Sequence, residues 1–364
     1  MPNQHTAAHD NAAAHDKTAA TQQLASASSA TTLDELIAEG VKAERRDARR
    51  GWIWIAALSA GLLIAVAVFL TWDLMGALEF ALKLRGTRVG AMLVCAVAIA
   101  VSTVAFQTVT ANRILTPSIM GMDALYILLQ TTAVFVLGGT AWMTASPLLR
   151  FGIELGLMVL FAVLLYRWMF TGRTANLHLM LLVGIVLGTL FRGISALLQK
   201  LLDPSEFTQL QDLFFASFNR VDPNLLTAAA IVVGVAVFFA WRMRHTLDAM
   251  ALGRDMATSL GINHQRVTTI VLILSAVMVA TCTALVGPIT FFGLLVVSLA
   301  YQALPGAGHG TLFIVSSLIG AFALVVGQFI VERLAGHSTT LSVVIEFAGG
   351  IVFIALLLKG SLKS

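Results

Sequence analysis

From Trp52 onward, long apolar stretches alternate with short polar connectors. A helix needs about 20 apolar residues to cross the hydrocarbon layer of a bilayer. Such runs lie near 52–70, 88–108, 117–137, 151–170, 178–198, 224–242, 267–287, 311–331 and 341–358. A shorter run, FFGLLVVSLAY at 291–301, is bounded by GPIT at 287–290 and ALPGAGHG at 303–310. With Pro288 restarting the helix after Gly287, this run makes a short crossing inside a bundle, where a broken helix is tolerated. The pattern predicts an all-α polytopic membrane protein with about ten transmembrane helices. It divides the chain into a leader at 1–50, a membrane domain at 51–358 and a short tail at 359–364.

The leader has a different character. Residues 1–30 are mostly Ala, His, Gln, Asn, Ser and Thr, too polar to pack, so disorder is expected there. From Thr32 the pattern changes, because Thr32 and Glu35 have capping-box spacing and Leu33, Leu36 and Ile37 form an apolar edge. Lys42, Arg45, Arg46, Arg49 and Arg50 follow. Two readings fit equally: a short helix against anionic headgroups, or a solvated leader that marks the cytoplasmic side. No small-residue cleavage site precedes Trp52, so the first apolar run reads as a retained anchor.

Composition agrees with lipid as the main solvent: 58% of the 364 residues are hydrophobic, 12% are charged, and mean hydropathy is +0.88. The net charge of +4 sits in tails and connectors without a basic, aromatic-interleaved face, which argues against a nucleic-acid partner. Cys95 and Cys282 lie in apolar runs, outside any metal-ligating or CxxC spacing, and read as small buried hydrophobes. The basic leader places the amino terminus in the cytoplasm, and an even number of crossings returns Lys359 and Lys363 to the same side. The connectors at 109–116, 171–177 and 243–266 then face the cytoplasm.

The longest polar interruption carries ALGRDMATSLGINHQR at 251–266. Leu252 and Met256 share a helical face, Leu260 lies one turn further, and Gly261 is placed to stop the helix. This predicts a short surface helix over 248–261, joined at both ends to membrane spans. Ionisable groups within spans are costly unless paired or facing water. Glu154 and Arg192 stand at comparable depth and read either as a structural ion pair or as a cavity wall. Gln328 and Glu346 lie in the outer halves of later spans, and Asp123 is near enough in sequence to meet Asn112 or Arg113.

LGRDMATSLGIN at 252–263, followed after one span by VGPITFFGLLV at 286–296, resembles the permease subunits of bacterial ABC importers for iron-siderophore complexes, haem and vitamin B12. FQTVTANRILTPSIMG at 106–121 resembles that family's segment after the second span, keeping Gln107, Asn112, Pro117 and Gly121. The likeness covers roughly 52–358 and implies the fold of the vitamin B12 importer permease. It implies that Leu252, Gly253, Arg254, Asp255, Met256, Leu260 and Gly261 form a coupling helix in a groove of a cytoplasmic ATP-binding subunit. It further implies a helix break or gate at Gly287, Pro288 and Gly293, and docking of an extracytoplasmic siderophore-binding protein by Arg85, Arg88 and Arg333. Headgroup anchoring is the competing role for those three arginines.

The family pattern also implies a second permease, related but different, a ferric-siderophore cargo, residence in the bacterial inner membrane, and no cofactor on this chain. ATP is expected to be used by the partner subunits, since PGAGHG at 305–310 lacks the Lys of a phosphate loop and reads as an interhelical turn. Ser298 and Leu299 replace a frequent Pro-His pair, and Leu125 and Tyr126 replace small residues, a variant resembling the siderophore branch more than the vitamin B12 branch. A haem or other metal-chelate permease, and from a different class an ion-coupled secondary transporter using Asp123 or Glu346, are the alternatives.

Overall fold

The computed structural model describes residues 49–72, 78–170, 177–334 and 340–361. Residues 1–48 of the leader expected at 1–50, and 171–176 of the connector expected at 171–177, lie outside these residues. Two units divide the chain after Ile53; of the first, the described residues are those from Arg49, and the second contains the membrane core.

Among the described residues every regular element is helical. In chain order they are α1 (Arg49–Thr71), then α2 (Leu78–Val109), α3 (Met122–Leu137), α4 (Gly139–Thr144), α5 (Pro147–Phe170), α6 (Leu177–Gln199) and α7 (Pro204–Gln211). They continue with α8 (Pro223–Arg242), α9 (Arg244–Met250), α10 (Arg254–Ser259), α11 (His264–Val286), α12 (Phe292–Ala303), α13 (His309–Leu334) and α14 (Leu341–Ser361). Seven described helices are long and apolar enough to cross a membrane, and three shorter apolar helices, Met122–Leu137, Phe292–Ala303 and Leu341–Ile354, accompany them.

Several boundaries differ from those predicted by hydropathy. α2 begins at Leu78 instead of residue 88, because Lys83, Arg85 and Arg88 break the apolar run without breaking the helix. Arg85 folds back so that one guanidinium nitrogen donates to the carbonyls of Phe69, Leu70 and Trp72, satisfying the open end of α1. The expected span at 117–137 is a 3-10 turn, Pro117–Met120, followed by α3. Pro288 does not restart a helix; residues 288–290 are non-helical and α12 begins at Phe292, after Phe291 in a left-handed conformation. α14 continues to Ser361, beyond the predicted end of the span.

The core is built where small side chains let helices approach closely. α2 presents Ala91, Cys95, Ala98 and Ser102 in full burial, and α11 answers with Ser275, Ala276, Ala280 and Cys282. The Ser275 hydroxyl donates to the Ser102 carbonyl at 3.2 Å, and the Cys282 thiol lies 3.8 Å from the Cys95 carbonyl. Both cysteines are unpaired and buried. α13 packs along α2 in the opposite direction: Arg88 meets Glu332 at one end, and Thr108 meets His309 at the other. The twenty residues from Arg88 to Thr108 correspond to about 30 Å of helix, close to a full hydrocarbon thickness.

Candidate functional site

Three regions carry chemistry: a surface segment at the Thr108–His309 end of the α2–α13 pair, a polar cavity between membrane helices, and the arginine-bearing opposite end.

The surface segment is not the continuous helix predicted over 248–261. It is two short helices, α9 and α10, separated by Ala251, Leu252 and Gly253. Gly253 sits at φ +101°, a conformation that L side chains rarely adopt, so the chain turns there and α10 restarts with Arg254. Gly261 follows the end of α10. Leu252, Met256 and Leu260 are 62%, 59% and 63% exposed, so the segment offers three large apolar side chains outside the bundle. Arg254 and Asp255 are exposed beside them.

Next to this segment the 107–121 stretch folds as a tight structural turn. Gln107 donates to the Arg113 carbonyl at 2.7 Å, and the Asn112 side chain accepts from the Ile114 backbone at 3.0 Å. Arg113 stacks over Tyr301, 4.6 Å from the ring centre. Pro117 begins the 3-10 turn. Gly121 packs against α6: a Cβ on it would stand 3.0 Å from the Gly188 Cα and 3.1 Å from the Gly184 carbonyl.

Glu154 and Arg192 are not brought together. Glu154 accepts from Gln130 at 2.7 Å, and Gln130 in turn accepts from the Trp142 indole at 2.9 Å. Glu154 and Arg150 line a cavity of about 580 Å³, whereas Arg192 lines a different one of about 380 Å³. Asp123, Thr290 and Glu346 share the Arg192 cavity, drawing on α3, α6, the α11–α12 junction and α14. Asp123 therefore meets Thr290, whose hydroxyl donates to it at 3.3 Å, instead of Asn112 or Arg113. Equal depth in two helices says nothing about the direction in which their side chains point; of the two readings, ion pair or cavity wall, each residue lines a cavity of its own.

The α11–α12 junction lines this cavity through Pro288, Thr290 and Phe291. Gly287 stands at φ +102°, and a Cβ there would lie 3.0 Å from the Ala216 Cα. The Ser217 backbone N–H donates to the Val286 carbonyl at 2.8 Å. Gly293, the second residue of α12, faces Thr103 and Ile99 of α2, with no room for a side chain.

At the other end, Arg88 forms a half-buried ion pair with Glu332 at 3.2 Å. Glu332 also accepts from Gln328 at 2.9 Å, which gives Gln328 a local role. Arg333 lies 5.8 Å from the Phe329 ring centre. Two of the three predicted docking arginines, Arg85 and Arg88, thus hold neighbouring chain in place. One site residue missed by sequence reasoning is His309, treated only as part of a turn; its partners are far away in the chain.

Residues 53–359 match the model of the FecCD transport family, and the chain belongs to that family. It is 45% identical over 310 residues to the petrobactin import system permease protein YclO of Bacillus subtilis (strain 168), covering 85% of this chain and 98% of that one. It is 34% identical over 320 residues to the petrobactin import system permease protein FatC of Bacillus anthracis, covering 86% and 90% respectively. A solved metal-chelate-type ABC transporter in an inward-facing conformation shares the fold, with a TM-score of 0.70 at 22% identity over 85% of this chain and 99% of that one. The protein is accordingly an all-α, multi-pass permease subunit of a bacterial ABC importer of the ferric-siderophore class, resident in the inner membrane. It is a transport subunit, not an enzyme, and systems of this family pair such a subunit with an ATPase, a second permease and a substrate-binding protein.

Proposed function

We propose that this permease forms half of the pore for a ferric petrobactin-type siderophore, beside a related but different second permease. The 45% identity to a petrobactin import permease, spread over nearly the whole of that chain, is the observation that carries the choice of cargo. In this reading the seven long and three shorter apolar helices among the described residues are ten crossings, and both termini lie in the cytoplasm. The leader at 1–50 and the tail at 359–364 flank the membrane domain on that side.

The α9–α10 segment contacts the ATPase through Leu252, Met256 and Leu260, with Arg254 and Asp255 at the edge of the contact. Apolar side chains of this size, exposed on a turn carried between two spans, favour burial in a partner's groove. Closure of the ATPase pair displaces this segment and drives exchange between outward- and inward-open states. At the opposite membrane face, the rim of Arg85, Arg88 and Arg333 receives the siderophore-binding protein, with Arg85 and Arg88 acting partly through the shape they maintain. The cavity of Asp123, Arg192 and Glu346 belongs to the cargo path, because exposed Arg192 on a membrane helix needs water or a polar neighbour.

The test is a cross-link in the assembled, transport-active complex between Met256→Cys and a cysteine in the ATPase groove. Efficient capture in resting and nucleotide-bound states is expected, and Gly253→Trp should reduce both capture and siderophore uptake. Failure to capture in an active complex would return α9–α10 to an ordinary interfacial segment.

A further inference from the structure

The turn PGAGHG contains a side chain that the proposed transport cycle has not yet used. His309, the first residue of α13, is almost fully buried and is held on both ring edges. On one edge, Asp248 of α9 accepts at a single carboxylate oxygen from the His309 backbone N–H at 2.8 Å and faces ring Nδ1 at 2.7 Å. On the other edge, Nε2 lies 2.7 Å from the Thr108 hydroxyl near the end of α2. Thr108 also lies 2.9 Å from the Val104 carbonyl, so its hydroxyl has a helical anchor.

The flanking glycines lie close against α9. A Cβ at 308 would stand 3.4 Å from the Asp248 carboxylate, and one at 310 would stand 3.3 Å from Cδ of Arg244. The turn is therefore seated directly on α9. His245 approaches the other Asp248 oxygen at 3.7 Å, leaving the first oxygen committed to His309.

We propose that His309 is a positioning residue that clasps α9 to α2 and α13, so that displacement of the ATPase-facing segment is delivered to the membrane helices. This rests on the reading of α9–α10 as the coupling surface. The chain of contacts runs from α9 through Asp248 to His309 and on to Thr108 without an intervening flexible link. Hydrogen bonds to an ionised carboxylate are short and strong, which suits a joint that must carry load in a cycle. α2 and α13 then continue to the Arg88–Glu332 contact, so a shift at the clasp has a rigid route to the opposite membrane face.

The experiment uses the complete complex, both permeases with the ATPase, in vesicles supplied with the binding protein and ferric siderophore. His309→Ala should lower the number of cargo molecules delivered per ATP hydrolysed on the order of tenfold. ATP turnover and the Met256→Cys cross-link should persist. His309→Gln, which keeps a donor and an acceptor at that reach, should recover part of the ratio. A purely structural role would lower melting temperature and total activity while leaving the ratio unchanged. An unchanged ratio in His309→Ala overturns the clasp while leaving the coupling surface intact. If His309→Ala does not assemble, Thr108→Val removes only the far hydrogen bond, and the same ratio decides: a fall supports the clasp and a wild-type value overturns it. Loss of the cross-link already in the active parent complex overturns the coupling surface, and the clasp with it.

Discussion

α6 and α11 are helices of equal length, both apolar enough to cross a membrane, yet they occupy opposite kinds of place. In α11, 67% of the most apolar stretch is buried, against 17% in α6. α11 carries Ser275, Ala276, Ala280, Thr281 and Cys282 toward its neighbours, whereas α6 turns Leu182, Val186, Leu190 and Leu197 outward. In a membrane, apolarity decides only that a helix inserts; the size of the side chains decides how near its neighbours can come. α6 has one closed face, where Gly184 and Gly188 meet the turn containing Met120 and Gly121.

That contrast can be broken at three positions. The largest effect is expected from Gly184→Leu, since a Cβ there would stand 3.0 Å from the Met120 Cα, a backbone atom that cannot swing away. Loss of assembled, detergent-stable protein, measured by size-exclusion yield, is expected; recovery of normal yield would show that the two segments can part. Ala280→Leu, at a fully buried site in α11, should destabilise by about 1–3 kcal/mol, read as a lowered thermal midpoint. Val186→Leu, on the open face of α6, should stay within about 0.5 kcal/mol in the isolated permease. If Val186→Leu destabilised as strongly as Ala280→Leu, the difference between the two helices would have no energetic meaning.

The spans were legible because the cost of placing polar backbone in lipid forces long apolar helices, and hydropathy reads this directly. Their ends were less so. Arg85 was expected at the rim, docking a binding protein or anchoring at headgroups, but it lies inside α2, bonded to carbonyls at the end of α1. The surface segment at 248–261 was found from its apolar spacing, yet the break at Gly253 depended on a backbone angle that spacing does not encode. Side-chain partnerships were least legible. Gln130 was never a candidate partner for Glu154, and His309 joins residues 61 and 201 positions away. Such pairings are set by how helices rotate about their axes, a property shared between neighbours and absent from either helix alone.

The junction after α11 bears on the energy economy of the cell. A helix that ends at membrane depth exposes carbonyls that would attract a file of water, and a file of water conducts protons. Here the Val286 carbonyl is taken by the Ser217 N–H, and the glycine beside it lets the Ala216 backbone pack directly against the chain end. A side chain at position 287 would push that backbone contact apart and leave the carbonyl open to water. The expected symptom is electrical: bacteria carrying Gly287→Val, even when idle for iron, should show a lowered membrane potential by a voltage-sensitive dye, because a resting importer has to remain an insulator between rare passages of its cargo.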